Sequence, residues 1–131
     1  MSPQEQRHIL ICDDEEDVAE LITHILDRDG YDVTSVHSAE AALALLPGDF
    51  DFIFSDINMP ELSGRDLLRA IRERWPGLDS RLGFITGDTM SPGAEEFLSQ
   101  ANCPYLEKPI TPTDLRELVA RIRALSEGND T

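Results

Sequence analysis

Carboxylate, hydroxyl and ammonium side chains stand at or just beyond the ends of several short apolar runs, and these are the residues most able to do chemistry. Asp13 and Asp14 follow the first run, Asp56 follows the third, Thr86 ends the fourth and Lys108 follows the fifth. Two carboxylates ~4 Å apart repel by about 4 kcal/mol at an effective dielectric near 20. The three aspartates would therefore tolerate each other only around a cation, and an all-oxygen site suits Mg²⁺. Lys108 can pair with a carboxylate or with a phosphoryl oxygen.

Simpler structural roles are open for several of these residues. Asp13 and Asp14 also suit the start of a helix, where carboxylates cap backbone amides and complement the helix dipole. The threonine can be an ordinary β-branched strand residue, and Lys108 an exposed surface lysine. Asp56 is harder to explain in this way, because the next helix has its own N-cap at Ser63.

Apolar runs alternate with amphipathic stretches along the chain. The runs predict buried strands over 9–12, 31–36, 52–55, 82–86 and 104–106. The stretches between them predict helices over 18–26, 39–46, 63–74, 91–101 and 111–125. Strand and helix thus alternate five times, which predicts an α/β fold: a five-stranded parallel sheet, doubly wound with helices on both faces. Ligand sites in such folds lie at the carboxyl ends of the strands, so the residues named above should meet at one edge.

Composition limits the functions that are open. The 131 residues include 11 Lys and Arg against 26 Asp and Glu, so the net charge is −15, and 40% are hydrophobic. This suits one domain, predicted over 8–125, with tails at 1–7 and 126–131. The charge argues against nucleic-acid binding through this domain, and no apolar stretch or leader indicates a membrane span or secretion. We therefore expect a cytoplasmic protein with Cys12 and Cys103 as reduced structural residues.

Taken together, the motifs resemble the receiver domain of two-component response regulators, a CheY-like member of the flavodoxin-like folds. The resemblance covers about residues 8–125. It rests on five parts in order: the acid pair after the first strand, Asp56 within Ser-Asp-Ile-Asn-Met-Pro, Gly64 eight residues later, the Thr86-Gly87 pair, and the Lys108-Pro109 pair. Each part alone is a weak signal, whereas all five at the right spacing are specific.

The resemblance implies a signalling phosphoacceptor with self-catalysed Asp phosphorylation and dephosphorylation rather than an enzyme with a separate substrate. The implied roles are Asp56 as phosphoacceptor, Asp14 as direct Mg²⁺ ligand, Asp13 as a ligand through water, Asn58 as a ligand through its backbone carbonyl, Thr86 and Lys108 as partners of the phosphoryl group, and Tyr105 as an aromatic switch residue beside Thr86. The implied output face is the fourth helix, the fifth strand and the fifth helix.

The implied partners are a sensor histidine kinase or a histidine phosphotransfer domain as phosphodonor, a downstream protein target, and a second copy in a phosphorylation-linked homodimer. A stand-alone regulator and the receiver of a hybrid sensor histidine kinase both remain open. The alternative class is a haloacid dehalogenase-like Mg²⁺ phosphatase, which needs Asp-x-Asp where this chain has an adjacent pair. A flavodoxin-like cofactor carrier is disfavoured because the acidic run would repel a flavin phosphate.

Overall fold

The computed structural model describes residues 8–129, with side chains to residue 125, and its elements alternate as predicted. The strands are β1 (His8–Cys12), β2 (Asp32–Val36), β3 (Phe52–Ser55), β4 (Leu82–Thr86) and β5 (Tyr105–Glu107). The helices are α1 (Glu16–Arg28), α2 (Ala39–Leu45), α3 (Gly64–Arg74), α4 (Pro92–Ala101) and α5 (Pro112–Asn129). A short 3₁₀ helix, Leu78–Arg81, precedes β4 and was not predicted.

All five strands are parallel, in the order β2-β1-β3-β4-β5. The order reverses at β1, which lies between β2 and β3, so the switch point of the sheet is at the carboxyl ends of β1 and β3. Cys12 pairs with Ser55 in this register, and the Asp56 N–H donates to the Cys12 carbonyl at 2.9 Å. The residues that follow these two strands are therefore held side by side.

Two hydrophobic cores lie on opposite faces of the sheet, which confirms the doubly wound architecture. The strands supply alternate residues to each face: Ile9 and Phe52 pack against α1 and α5, whereas Leu10 and Ile53 pack against α2, α3 and α4. These four side chains are almost fully buried, and each such burial contributes roughly 1.5–3 kcal/mol. The sheet is therefore a rigid platform for the loops at its edge.

Three helices begin at serine N-caps, of which Ser63 was named above. Ser38 accepts a hydrogen bond from the Ala41 N–H at 3.1 Å. Ser63 forms a reciprocal capping box with Asp66, and Ser91 caps α4. Each such cap stabilises a helix by about 0.5–2 kcal/mol. The starts of α3 and α4, which both adjoin the carboxyl edge of the sheet, are thereby fixed.

The structure describes part of one of the two predicted tails, the C-terminal one. α5 continues to Asn129, four residues into the segment 126–131 that was predicted to be a tail. No proline interrupts the sequence there, so the helix has no strong stop at 125. The predicted tail at 1–7 lies outside the described residues. Among the helices of residues 8–129, none is long and apolar enough to cross a membrane.

Candidate functional site

Asp56 lies directly after β3 and is only 5% exposed. Its Oδ1 accepts hydrogen bonds from the Ile57 N–H at 2.7 Å and the Asn58 N–H at 3.4 Å. Its Oδ2 is 3.1 Å from the Lys108 Nζ. Backbone amides and an ammonium therefore hold the two carboxylate oxygens in one orientation.

Gly64, the first residue of α3, lies against the loop that carries Asp56. A Cβ at this position would be 2.3 Å from the Asp56 carbonyl oxygen and 2.8 Å from the Ile57 Cα. The Gly64 N–H donates to the Ile57 carbonyl at 2.7 Å. This explains the glycine of the motif: only a residue without a side chain lets the helix start approach the Asp56 loop so closely.

Asp13 lies directly after β1 and is 1% exposed. Its Oδ1 accepts the Glu15 N–H at 2.9 Å, and its Oδ2 is 3.0 Å from the Lys108 Nζ. That contact lacks hydrogen-bond geometry, so Oδ2 is a buried oxygen without a hydrogen-bond partner among the described residues. Burial raises the pKa of the Asp13 carboxyl above its ordinary value, although the Glu15 amide and Lys108 oppose the shift.

Lys108 follows β5 and reaches three carboxylates. Its backbone N–H donates to the Thr86 carbonyl at 2.8 Å, and the Lys108–Pro109 peptide bond is cis. Its Nζ is 2.7 Å from Glu15 Oε1, besides the contacts to Asp13 and Asp56. Burial alone lowers the pKa of this ammonium, but the hydrogen bonds to the carboxylates outweigh it and raise the pKa overall. Lys108 is therefore an internal counterion, not the exposed surface lysine considered above.

Thr86 and Tyr105 lie nearby but outside this ion-pair group. Thr86 is fully buried, and its Oγ1 bonds to the backbone of Asp88, accepting the N–H at 3.2 Å and donating to the carbonyl at 3.5 Å. Tyr105, on the edge strand β5, is 40% exposed. The structure thus places both predicted switch residues on adjacent strands, with the hydroxyl of Thr86 engaged locally.

The acids at 13–17, directly after β1, lie in different surroundings. The carboxylate atoms that lie within 4.8 Å of one another come from Asp13, Glu15 and Asp56. Asp14 is half-buried and does not belong to this group. Neither Asp13 nor Asp14 is the N-cap of α1, which is Glu15. Asp13 nevertheless accepts a backbone amide at this helix start, through its bond from the Glu15 N–H.

Two residues at the site were missed by the sequence reasoning. Glu15 was part of the acidic run, but nothing in the run says which acid reaches Lys108. His37 belongs to none of the motifs named above, and its Nδ1–H donates to the Asp13 carbonyl at 3.0 Å. The available signal was its position directly after β2, whose carboxyl end adjoins that of β1 in this sheet order.

The donor set fits a hard divalent cation. Three carboxylates face one ammonium, so the group carries an excess of negative charge. Asp13 Oδ2 adds a buried oxygen that contacts Lys108 but has no hydrogen-bond partner among the described residues. Oxygen ligands of this kind are those that Mg²⁺ takes in proteins, where it keeps several waters and one or two carboxylates.

The fold and this cluster define a class of protein: a doubly wound α/β domain with acids and one lysine at its switch point. Comparison with known proteins narrows the class. A sequence profile of the response regulator receiver domain matches residues 9–120. The response regulator SaeR of Staphylococcus aureus is 34% identical over 118 residues, which are 90% of this chain and 50% of SaeR.

Solved structures agree with this match. A sensor protein from Polaromonas sp. JS666 superposes with a TM-score of 0.80 at 31% identity, over 92% of this chain and 98% of that one. The signal receiver domain of a histidine kinase from Syntrophus aciditrophicus gives 0.78 at 26% identity, over 93% and 91%. The chain belongs to the response regulator receiver domain family of two-component signalling. It spans about half the length of the curated relatives it matches, and nothing found here favours the haloacid dehalogenase-like alternative.

Proposed function

We propose that Asp56 is the phosphoacceptor of this receiver domain and that a phosphohistidine of a sensor histidine kinase or of a histidine phosphotransfer domain is the donor. The observation that carries the proposal is the Asp56 carboxylate itself. It is 5% exposed at the switch point, with Oδ1 on two backbone amides and Oδ2 on Lys108. A carboxylate held in this way is a preorganised nucleophile.

The transfer is a displacement at phosphorus. An Asp56 carboxylate oxygen forms the new O–P bond, the N–P bond of the phosphohistidine breaks, and its electron pair stays on the imidazole nitrogen. The product is an acyl phosphate on Asp56. Hydrolysis reverses the modification: a water oxygen bonds to phosphorus, the O–P bond to Asp56 breaks, and inorganic phosphate leaves.

The chain's own groups stabilise the transferred charge. The transition state spreads negative charge over three phosphoryl oxygens. The amides of Ile57 and Asn58 and the ammonium of Lys108 already point at the Asp56 oxygens. Donors fixed in advance near the developing charge lower the barrier without reorganising. The low exposure of Asp56 strengthens this effect because little water screens the charges.

Mg²⁺ is the proposed cofactor of the site. Asp13, Asp14 and Asp56, with the backbone carbonyl of Asn58, would hold it. A bound ion would supply positive charge that offsets the acids and stabilises the negative charge of the transferred phosphoryl group. Asp14 is a half-buried residue and is not among the three carboxylates that contact Lys108, and its proposed role as a ligand follows from the family resemblance.

The conformational response is proposed to begin at Thr86. Its hydroxyl leaves Asp88 for a phosphoryl oxygen, and Tyr105 moves toward the vacated space. Phosphorylation thus shifts the equilibrium between two arrangements of Thr86 and Tyr105. The α4, β5 and α5 face then carries the signal to a downstream protein or to a second copy of the chain. Both a stand-alone regulator and the receiver of a hybrid histidine kinase are compatible with this role.

Intact-protein mass spectrometry after incubation with acetyl phosphate tests the proposal. We expect one phosphoryl adduct that requires Mg²⁺ and is lost in Asp56→Asn. Asp49→Asn, which changes an exposed acid in the turn before β3, is the matched control and should keep the adduct. An adduct of equal yield in Asp56→Asn would move the acceptor elsewhere and refute the proposal.

A further inference from the structure

We propose that Glu15 is a positioning residue: it holds the Lys108 ammonium in the unphosphorylated protein and gives it up to the phosphoryl group. The proposal rests on the proposed function of Asp56. Glu15 belongs to the carboxylate cluster of the site, but the ligand set proposed above does not include it.

The distances single out Glu15 among the three acids. Its Oε1 is 2.7 Å from the Lys108 Nζ, compared with 3.0 Å for Asp13 Oδ2 and 3.1 Å for Asp56 Oδ2. The contacts to Glu15 and Asp56 have hydrogen-bond geometry, and the contact to Asp13 does not. Glu15 therefore makes the closest of the three ion pairs.

Glu15 is not needed for the start of α1. It is the N-cap residue of that helix, but its side chain makes no capping hydrogen bond. Its backbone is fixed on both sides, because its N–H donates to Asp13 Oδ1 at 2.9 Å and its carbonyl accepts the Ala19 N–H at 3.0 Å. The backbone is thus anchored at the site while the carboxylate is directed to Lys108.

Exposure decides which contact gives way. Three carboxylates lie within 3.1 Å of the Lys108 ammonium, and two of them accept its hydrogen bonds. An incoming phosphoryl oxygen therefore competes with these carboxylates for the positive charge and the three N–H donors of Lys108. The side chains of Asp13 and Asp56 are 2% and 6% exposed, whereas that of Glu15 is 59% exposed. Water can solvate the Glu15 carboxylate after release, and the two buried carboxylates have no such replacement. Glu15 is therefore the exchangeable partner.

Two opposite effects of Glu15→Gln follow. With Mg²⁺ saturating, the variant should bind beryllofluoride, a phosphoryl mimic, about two- to five-fold more tightly, which is the range for a partly exposed ion pair. Its affinity for Mg²⁺ alone should fall by a similar factor. Without the Glu15 carboxylate, Lys108 interacts more strongly with Asp13 and Asp56 and competes with the cation for them. General damage to the site would instead weaken the binding of both Mg²⁺ and beryllofluoride.

Titration calorimetry with Mg²⁺ and with beryllofluoride measures both affinities. Glu16→Gln is the matched control: it removes the same charge one residue along, from an exposed acid in the first turn of α1, and should change neither affinity. In a Lys108→Ala background the effect of Glu15→Gln should vanish, because Glu15 acts through the ammonium.

The role of Glu15 would be overturned if Glu15→Gln changed neither affinity or changed both in the same direction. It would also be overturned if Glu16→Gln changed the affinities equally, or if the effect of Glu15→Gln persisted in the Lys108→Ala background. Failure of the proposed function has a different signature. In that case wild type would not bind beryllofluoride in the presence of Mg²⁺, or Asp56→Asn would bind it equally well.

Discussion

Gly64→Ala is predicted to damage both the stability and the phosphorylation of the domain. The added Cβ would be 2.3 Å from the Asp56 carbonyl oxygen and 2.8 Å from the Ile57 Cα, whereas ordinary contacts are 3.4–4 Å. Both neighbours are backbone atoms, so no side chain can rotate away. The start of α3 and the Asp56 loop must therefore separate by about 1 Å, which also strains the Gly64 hydrogen bond to Ile57.

Overpacking of this kind typically lowers the free energy of unfolding by about 1–3 kcal/mol. A misplacement of about 1 Å at a reacting group can slow a reaction by about 10²-fold. Urea unfolding followed by circular dichroism measures the first effect, and the rate of phosphorylation by acetyl phosphate measures the second. We expect the urea concentration at the unfolding midpoint to fall, and the phosphorylation rate to fall by a factor approaching about 10².

Gly93→Ala is the matched control, because it adds the same methyl group in the first turn of α4. There the added Cβ meets only the Arg65 guanidinium, at 3.6 Å, an ordinary contact. Such a change usually stabilises a helix, here by about 0.4–1 kcal/mol. If Gly64→Ala matched Gly93→Ala in both unfolding midpoint and phosphorylation rate, the close approach of α3 to Asp56 would be refuted.

Two further predictions concern the core and the capping box. Burial raises the pKa of Cys12 to about 12 and that of Cys103 to about 11, so neither thiol should react with a disulfide reagent at pH 8 until urea unfolds the chain; rapid labelling of the native protein would contradict this. The Ser63 backbone N–H and hydroxyl lower the pKa of Asp66, so its contribution to stability is present above the unfolded pKa near 3.9 and is lost as the pH falls through the lower folded value. Asp66→Ala should therefore lower the free energy of unfolding by about 0.3–1.5 kcal/mol at pH 7 and by less in acid. A decrease in the free energy of unfolding that did not depend on pH would contradict the charged capping box.

Most of the fold was predictable because the signals were local. Continuous apolar runs mark strands buried on both faces, and β3 and β4 have the bounds that their runs predicted. Serine followed by helical periodicity marked the starts of α2, α3 and α4. The 3₁₀ helix before β4 lacked such a signal: its N-cap is Gly77, in a left-handed conformation, and no side chain caps it.

The site was predictable as a meeting of strand ends, but not as a set of contacts. The sheet order brings Asp13, Asp56 and Lys108 together, as expected from the alternation of strands and helices. The reach of Glu15 back to Lys108 depends on the angle at which α1 leaves β1, a tertiary feature that residue types do not encode. The hydrogen bonds between the Thr86 hydroxyl and the Asp88 backbone likewise depend on the path of the chain after β4, which residue types do not encode.

The most direct test of the account asks which of the 26 acidic residues carries the phosphoryl group. Borohydride reduces an aspartyl phosphate to homoserine, which tandem mass spectrometry locates in the peptide sequence. After treatment with acetyl phosphate and Mg²⁺, we predict homoserine at position 56 alone, and none when Mg²⁺ is removed. Homoserine at Asp13 or Asp14, or at several acids with position 56 unmodified, would contradict the assignment of Asp56 as the acceptor.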